Sequence, residues 1–240
     1  WKKMKKVSIV IPFYNEEERL NKLFTSLTKF KRKRTTKLFE YIFVDDGSTD
    51  NTIKKISQFL NKIKKGRDKY KLLKSKKNFG KGHALKLGVK SAKYDWIFTM
   101  DADLSVDFTQ ITKWFVKHSF RDDHAYFGSR NHLQSTVKHR YYRKLMGDIF
   151  QILVFLFIDT KVKDSQCGFK LYNKKFAKII FKNLKTNGFS HDLELIKLLR
   201  LKNIKIMELP VNWVHMDKGK LNILLDPIKM LFEIILIKFR

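Results

Sequence analysis

The sequence holds a single cysteine, Cys167, among 240 residues. Neither an intrachain disulfide framework nor a cysteine-based zinc site can be built from it, and a reducing compartment is the simplest expectation. There are only 3 prolines and no low-complexity tract, and no self-similarity at the spacing of solenoid repeats. No run of 18 or more apolar residues occurs, so no ordinary membrane-spanning helix is expected. Residues 1–6 are basic but lead straight into a short apolar stretch, without the shape of a secretion signal. The chain opens on Trp1 rather than on an initiator Met, so a short preceding piece is expected. Acidic residues are few: 23 Asp and Glu face 52 Lys and Arg, a formal net charge of +29. That field favours nucleic acid, anionic lipid or phosphorylated substrates. The basic runs are scattered over 31–34, 74–77 and 138–144, which does not suit a single nucleic-acid stripe.

What is present suffices for a core, since 43% of the residues are hydrophobic. Val7-Ser8-Ile9-Val10-Ile11-Pro12 reads as a buried strand. Asn15 is expected to cap a helix with Glu16, Glu17 and Glu18 in its first turn. Tyr41-Ile42-Phe43-Val44 is a second strand ending on Asp45-Asp46-Gly47-Ser48, with Thr49 or Asp50 capping the next helix. Residues 70–73 form a weak third strand, Gly80 to Gly82 open a helix, and Trp96-Ile97-Phe98-Thr99-Met100 is a fourth strand closed by Asp101. Alternating strands and helices predict a parallel sheet with crossover helices. Ligands of such sheets sit beyond the carboxyl ends of the strands, where Pro12, Asp45-Asp46 and Asp101-Ala102-Asp103 all fall. In the second half, residues 125–129 read as a strand, 141–158 as a long helix, 167–172 as strand or loop, 192–201 as a helix and 204–210 as an edge strand. Asp226-Pro227 starts a last helix whose narrow polar stripe suits a membrane interface, or alternatively packing on the domain or a subunit.

Asp101-X-Asp103 supplies two hard oxygen donors, the kind that hold Mg²⁺ or Mn²⁺ together with substrate phosphates. Such a triplet is common on surfaces; its place after a buried strand gives it weight. Asp45-Asp46-Gly47-Ser48 can accept hydrogen bonds from a nucleobase or ribose, and is equally a good turn and helix cap. Asn78-Phe79-Gly80-Lys81-Gly82 can offer backbone N–H groups to phosphate.

Val7 to Glu16, Val44 to Asp50, Asn78 to Gly82 and Asp101 to Leu104 resemble, in order, the motifs of the family-2 glycosyltransferases with a GT-A fold. Gly128-Ser129-Arg130, residues 140–147, Asp164-Ser165-Gln166-Cys167-Gly168-Phe169-Lys170 and Asp192-Leu193-Glu194-Leu195 resemble the polyprenyl-phosphate branch. The Gln166 to Lys170 run and Val211-Asn212-Trp213 are most similar to the dolichyl-phosphate β-glucosyltransferases, with the mannose synthases a step further away. The resemblance implies an α/β, GT-A fold: a mostly parallel nucleotide-binding sheet flanked by helices. The catalytic domain would span 1–220, and 221–240 would form an amphipathic, membrane-interfacial helix. Pro12, Tyr14, Glu16, Asp45, Asp46, Lys81 and Asp101 would line the nucleotide pocket, and Asp101 and Asp103 would hold Mg²⁺ or Mn²⁺. Arg130, Arg140 and Arg143, with Gln166, would meet the acceptor phosphate. Asp103, Arg130 and Asp192 would be the catalytic residues, Asp192 as acid/base or sugar-hydroxyl partner; an acid early in a helix is the alternative for it. Ser105 stands where mannose synthases often carry Gln.

The implied reaction is inverting transfer of a hexose, glucose from UDP-glucose, to a polyprenyl or dolichyl phosphate. The alternatives are GDP-mannose as donor, or a soluble glycan as acceptor. Expected partners are a nucleotide-sugar donor, the lipid phosphate and a membrane surface, without nucleic acid and with the oligomeric state left open. The expected location is peripheral, on the cytoplasmic face of the plasma membrane in a bacterium or of the endoplasmic reticulum in a eukaryote.

Overall fold

The computed structural model describes residues 6–33, 38–63, 66–138, 162–188, 190–216 and 226–239. β1 (Lys6–Phe13), β2 (Leu38–Asp45), β3 (Lys69–Lys74) and β4 (Trp96–Thr99) alternate with α1 (Leu20–Lys33), α2 (Thr52–Ile63) and α3 (Lys81–Ser91). Then follow α4 (Thr109–Lys117), β5 (His124–Ser129), β6 (Thr136–Lys138), β7 (Lys170–Asn173), α5 (Lys174–Asn183), α6 (His191–Leu201), β8 (Lys205–Pro210), β9 (Asn212–Val214) and α7 (Asp226–Phe239). The seven-stranded sheet runs β3-β2-β1-β4-β7-β5-β8, and β6 and β9 form a separate parallel pair.

Both faces of this sheet are covered, because side chains alternate along each strand. Val7, Ile9, Ile11 and Phe13 of β1 point to one side, against Leu20, Leu23 and Leu27 of α1, Ile56 and Leu60 of α2, and Ile111 and Trp114 of α4. Val10 of β1, with Ile42 and Val44 of β2, points to the other, against Ala84, Leu85 and Val89 of α3, Ile180 and Phe181 of α5, and Leu195 and Leu199 of α6. Each fully buried Leu or Ile contributes about 1.5–3 kcal/mol. The result is a three-layer α/β/α fold with the mostly parallel sheet expected from the sequence.

The topology gathers the polar clusters at one edge. β1 pairs in parallel with β2 and with β4, so the carboxyl ends of all three lie side by side. Pro12 is accommodated in this central strand because β4 pairs with β1 only as far as Val10. The N–H that Pro lacks would face β4 beyond its last pair, where no ladder bond is lost.

The structure corrects one local expectation. α1 starts at Leu20 with no acid in its first turn, so Asn15 is not its cap. Asn15 instead takes a positive φ of 51°. Its Oδ1 accepts Thr49 N at 2.7 Å, and its own N donates to Ser48 Oγ at 2.8 Å. Glu16 N donates to Thr52 Oγ1 at 2.7 Å, and Glu17 pairs with Lys55 at 3.0 Å. These polar groups therefore lace the loop after β1 to the loop after β2 instead of capping a helix. Asp50 does serve the start of α2, with its Oδ1 accepting Thr52 N at 2.9 Å.

Four further features were not expected from the sequence: α4, α5, the parallel β6–β9 pair, and β7 running antiparallel between β4 and β5. The helix expected over 141–158 lies outside the described residues. Among the described residues, no helix is long and apolar enough to cross a membrane.

Candidate active site

Asp45 ends β2 fully buried. Its Oδ2 accepts Gly47 N at 3.1 Å and Ser48 N at 3.0 Å, which closes the turn, while Oδ1 has no partner among the described residues. An unpaired buried carboxylate oxygen is costly and marks a place where a donor is wanted. Asp46, joined to β1 through its N on Phe13 O at 2.8 Å, accepts Phe79 N at 3.1 Å and Gly80 N at 2.6 Å. It thus fastens the loop before α3 to the end of β2. Gly80 takes φ 110°, a conformation that side-chain-bearing residues rarely adopt. That turn aims Lys81 across the strand ends, where its Nζ lies 2.6 Å from Asp101 Oδ1.

Asp101 follows β4, and the backbone of Gly168 lies directly against its carboxylate. Thr99 Oγ1 holds Gly168 O at 3.1 Å. Asp103 Oδ1 accepts Ser105 N at 2.8 Å. Burial raises the Asp103 carboxyl above its usual range, and the charge of Asp101 adds to the effect. Burial alone would lower the Lys81 ammonium, but Asp101, then Asp192 and Asp103, outweigh it and hold it above the ordinary lysine value. In a chain of net charge +29, this spot collects three carboxylates around one lysine. Two oxygen-donor side chains that repel one another suit a divalent cation completing its shell with diphosphate and water.

Beyond β5, Arg130 is clamped by Asp164. Its N and Nε reach Oδ2 at 2.8 and 2.7 Å, and its Nη2 reaches Oδ1 at 2.7 Å. Trp213 packs its ring 5.5 Å from the guanidinium. Burial works to lower the Arg130 value, but the bonds to and charge of Asp164 raise it, so the side chain stays charged. Asp164 is in turn anchored by its own N on Glu208 Oε1 of β8 at 3.0 Å. Gln166 is half-buried in the loop between Asp164 and Gly168. Cys167 is buried there, and burial pushes its thiol up to about 12, so it stays protonated and unreactive.

Asp192, in the first turn of α6, is buried with Lys170 Nζ at 2.5 Å and His191 Nε2 at 3.2 Å. Burial would raise its carboxyl, but the charges of His191 and Lys170 prevail and hold it far below the carboxylate range. It has no proton to give near neutral pH, so the general-acid option finds no support in its setting.

Pro12, Glu16, Asp45, Asp46, Lys81, Asp101 and Asp103 thus come together around the ends of β1, β2 and β4, with Tyr14 in the loop after β1. Arg130 and Gln166 stand at the ends of β5 and β7. Arg140 and Arg143 lie outside the described residues. Three residues that shape the site were given no role by the sequence reading: Asp164, Gly168 and Lys170. Acids are scarce in this chain, so Asp164 at the head of the uncharged run Ser165 to Phe169 was the available signal.

A mostly parallel sheet with an Asp-X-Asp at its carboxyl edge is the arrangement expected of a GT-A glycosyltransferase. Residues 8–181 match the model of the glycosyl transferase family 2, and the chain belongs to that family. It is 32% identical over 244 residues to the dolichyl-phosphate beta-glucosyltransferase of Dictyostelium discoideum, covering 98% of this chain and 74% of that one. The enzymes of the same name from Saccharomyces cerevisiae and Homo sapiens are each 32% identical as well, over 97% and 90% of this chain and 74% and 70% of theirs. Among solved structures, glucosyl-3-phosphoglycerate synthase from Mycobacterium tuberculosis in complex with UDP superposes with a TM-score of 0.66. It shares 16% identity and covers 98% of this chain and 79% of that one. A second structure of that synthase contains Mn²⁺, UDP and glucosyl-3-phosphoglycerate, with a TM-score of 0.63 and 15% identity over 97% of this chain and 78% of that one. At such identities these likenesses establish the GT-A fold.

Proposed function

We propose that this glycosyltransferase moves glucose, with inversion, from UDP-glucose to dolichyl or a related polyprenyl phosphate. The observation that carries this reading is the 32% identity, across nearly the whole chain, to several enzymes named for that transfer. The free oxygen of Asp45 favours uracil over guanine. Uracil offers one ring N–H, whereas guanine offers two adjacent N–H donors, and the other Asp45 oxygen is already engaged by Gly47 and Ser48.

In this reading Pro12, Tyr14, Glu16, Asp45 and Asp46 border the nucleotide, and Lys81 meets the diphosphate. Asp101 and Asp103 would hold Mg²⁺ or Mn²⁺, which supplies charge neutralisation for the leaving diphosphate when bound. Arg130, with Arg140 and Arg143, receives the acceptor phosphate. Arg130 is oriented for it by Asp164 and Trp213, and Gln166 lines the acceptor loop. A phosphate is already anionic near pH 7, so the chain needs no strong base. Its residues act by alignment and by countering charge. Asp192 contributes a fixed negative charge through its pair with Lys170 and does not shuttle protons.

The lipid acceptor calls for a membrane surface. α7 buries Met230, Ile234 and Ile237 on the domain while Phe232, Leu236 and Phe239 remain outward. An apolar helix face on a strongly basic protein fits peripheral binding to an anionic, cytoplasmic leaflet. Incubation with labelled UDP-glucose or GDP-mannose, polyprenyl phosphate and Mn²⁺, with and without chelator, tests the reaction. Label should enter lipid from UDP-glucose and stop with chelator. Label entering only from GDP-mannose would reject the glucose assignment.

A further inference from the structure

α7 is tied to the donor side of the site, through contacts that neither the motifs nor the acceptor arginines explain. Ser190 Oγ donates to Met230 O at 3.4 Å, and Lys197 Nζ to Ile237 O at 2.7 Å, which seats α7 along α6. Glu233, half-buried on this largely apolar helix, turns its carboxylate to the start of α6. Its Oε2 accepts Ser190 N at 3.3 Å. The amino end of a helix is a favourable place for a negative charge. The same carboxylate lies flat on Gly188: a Cβ there would come within 3.0 Å of Oε2 and closer still to Oε1.

The next contacts lead inward. Gly188 O pairs with His191 Nδ1 at 2.9 Å. Asn187 O accepts Gly82 N at 2.8 Å. The Asn187 carbonyl also closes on Gly80, where a Cβ would sit 2.9 Å from the carbonyl carbon. A Cβ on Gly82 would stand 2.8 Å from His191 Cβ. Glycines at 80 and 82 thus let the start of α3 lie directly against the backbone of Thr186 and Asn187, and Gly188 leaves room for the Glu233 carboxylate. Between the first two stands Lys81, its ammonium on Asp101.

We propose that Glu233 is a positioning residue for the sugar-nucleotide donor. By fixing Gly188 and Ser190 it holds Asn187 against Gly80 and Gly82, and so sets where Lys81 points. The inference rests on the reading of Lys81 as a diphosphate contact. It makes the helix that offers Phe232, Leu236 and Phe239 outward the same helix that steadies the donor loop. Donor affinity should accordingly depend on Glu233 although no atom of Glu233 need touch the donor.

The test is calorimetric titration of UDP with Mn²⁺ into the purified chain, alongside donor and acceptor KM. Glu233→Ala should raise the UDP Kd and the donor KM roughly fivefold, the low end of coupling between sites, with acceptor KM unchanged. Glu233→Gln keeps an oxygen to accept Ser190 N and should restore most of the affinity. Gly188→Ala displaces the carboxylate and should mimic Glu233→Ala, and the double variant should be no weaker than either alone. A UDP Kd within twofold of the parent in Glu233→Ala, equal rises in donor and acceptor KM, or additive effects in the double variant would each overturn the proposal. A parent chain that binds no UDP would instead reject the donor reading itself.

Discussion

Gly168→Ala adds one methyl group where there is no room for it. The new Cβ would lie 2.5 Å from both Cγ and Oδ1 of Asp101, whereas ordinary contact begins at 3.4 Å. Something must move by about 1 Å. Gly168 itself is restrained, since its O is held by Thr99 and the loop is pinned at Asp164. The Asp101 carboxylate is therefore the group that shifts, away from its place beside Lys81 and Asp103. A displacement of that size among groups that align a reaction costs on the order of 10²-fold in kcat/KM. The assay is transfer of label from UDP-glucose to polyprenyl phosphate at saturating Mn²⁺, paired with a thermal melt. The expected result is a loss of that order with Tm changed by a few degrees at most. Activity within twofold of the parent would refute the placement of Asp101 at the reacting diphosphate.

Two further outcomes follow from the buried pair below Lys81. Lys170→Met leaves Asp192 ionised without its nearest cation, which should cost about 3 kcal/mol or more and lower Tm by roughly 6–12 °C for a chain of this size. A variant melting within 2 °C of the parent, roughly 1 kcal/mol or less by the same scaling, would mean that the pair stabilises nothing. The acid limb provides the second. Asp192 has a folded value held far below the carboxylate range, with the charges of His191 and Lys170 outweighing burial. Its stabilisation is complete above the unfolded value of about 3.9 and is lost as pH falls below it towards the folded value. In Lys170→Met the folded value rises towards the unfolded one, so the loss of Tm between pH 7 and pH 3 should be smaller than in the parent. Coincident acid limbs would contradict the assignment.

Much of the donor half could be read from the sequence, because there the signals are local. A β-branched run, a turn and a capped amphipathic helix fall within thirty or so residues of one another, and the strand ends named Asp45-Asp46 and Asp101 directly. Asn15 misled because its side-chain chemistry serves a loop as well as a cap, and only its partner, Thr49, decides which. α5 had a visible period, with Phe176, Ala177, Ile180 and Phe181 buried on one face. β7 had none: four residues, all buried, whose neighbours on either side are set by distant parts of the chain. The grip of Asp164 on Arg130, and of Lys170 on Asp192, likewise joins residues 22 to 34 positions apart, beyond the reach of any spacing rule.

The late arrival of β7 bears on how the chain is made. Residues 6–99 contain everything needed for β3-β2-β1-β4 and the helices α1 to α3. Strand β4 then has one bare edge, because its second neighbour begins only at Lys170, about seventy residues later. During synthesis that edge is an open row of backbone donors and acceptors, able to pair with another chain. The loop that brings Gly168 against Asp101 emerges just ahead of β7. A nascent chain released before that point would carry half a sheet, an exposed strand and an Asp101 without the loop that packs on it. In this architecture the closing of the sheet and the completion of the candidate site are one event.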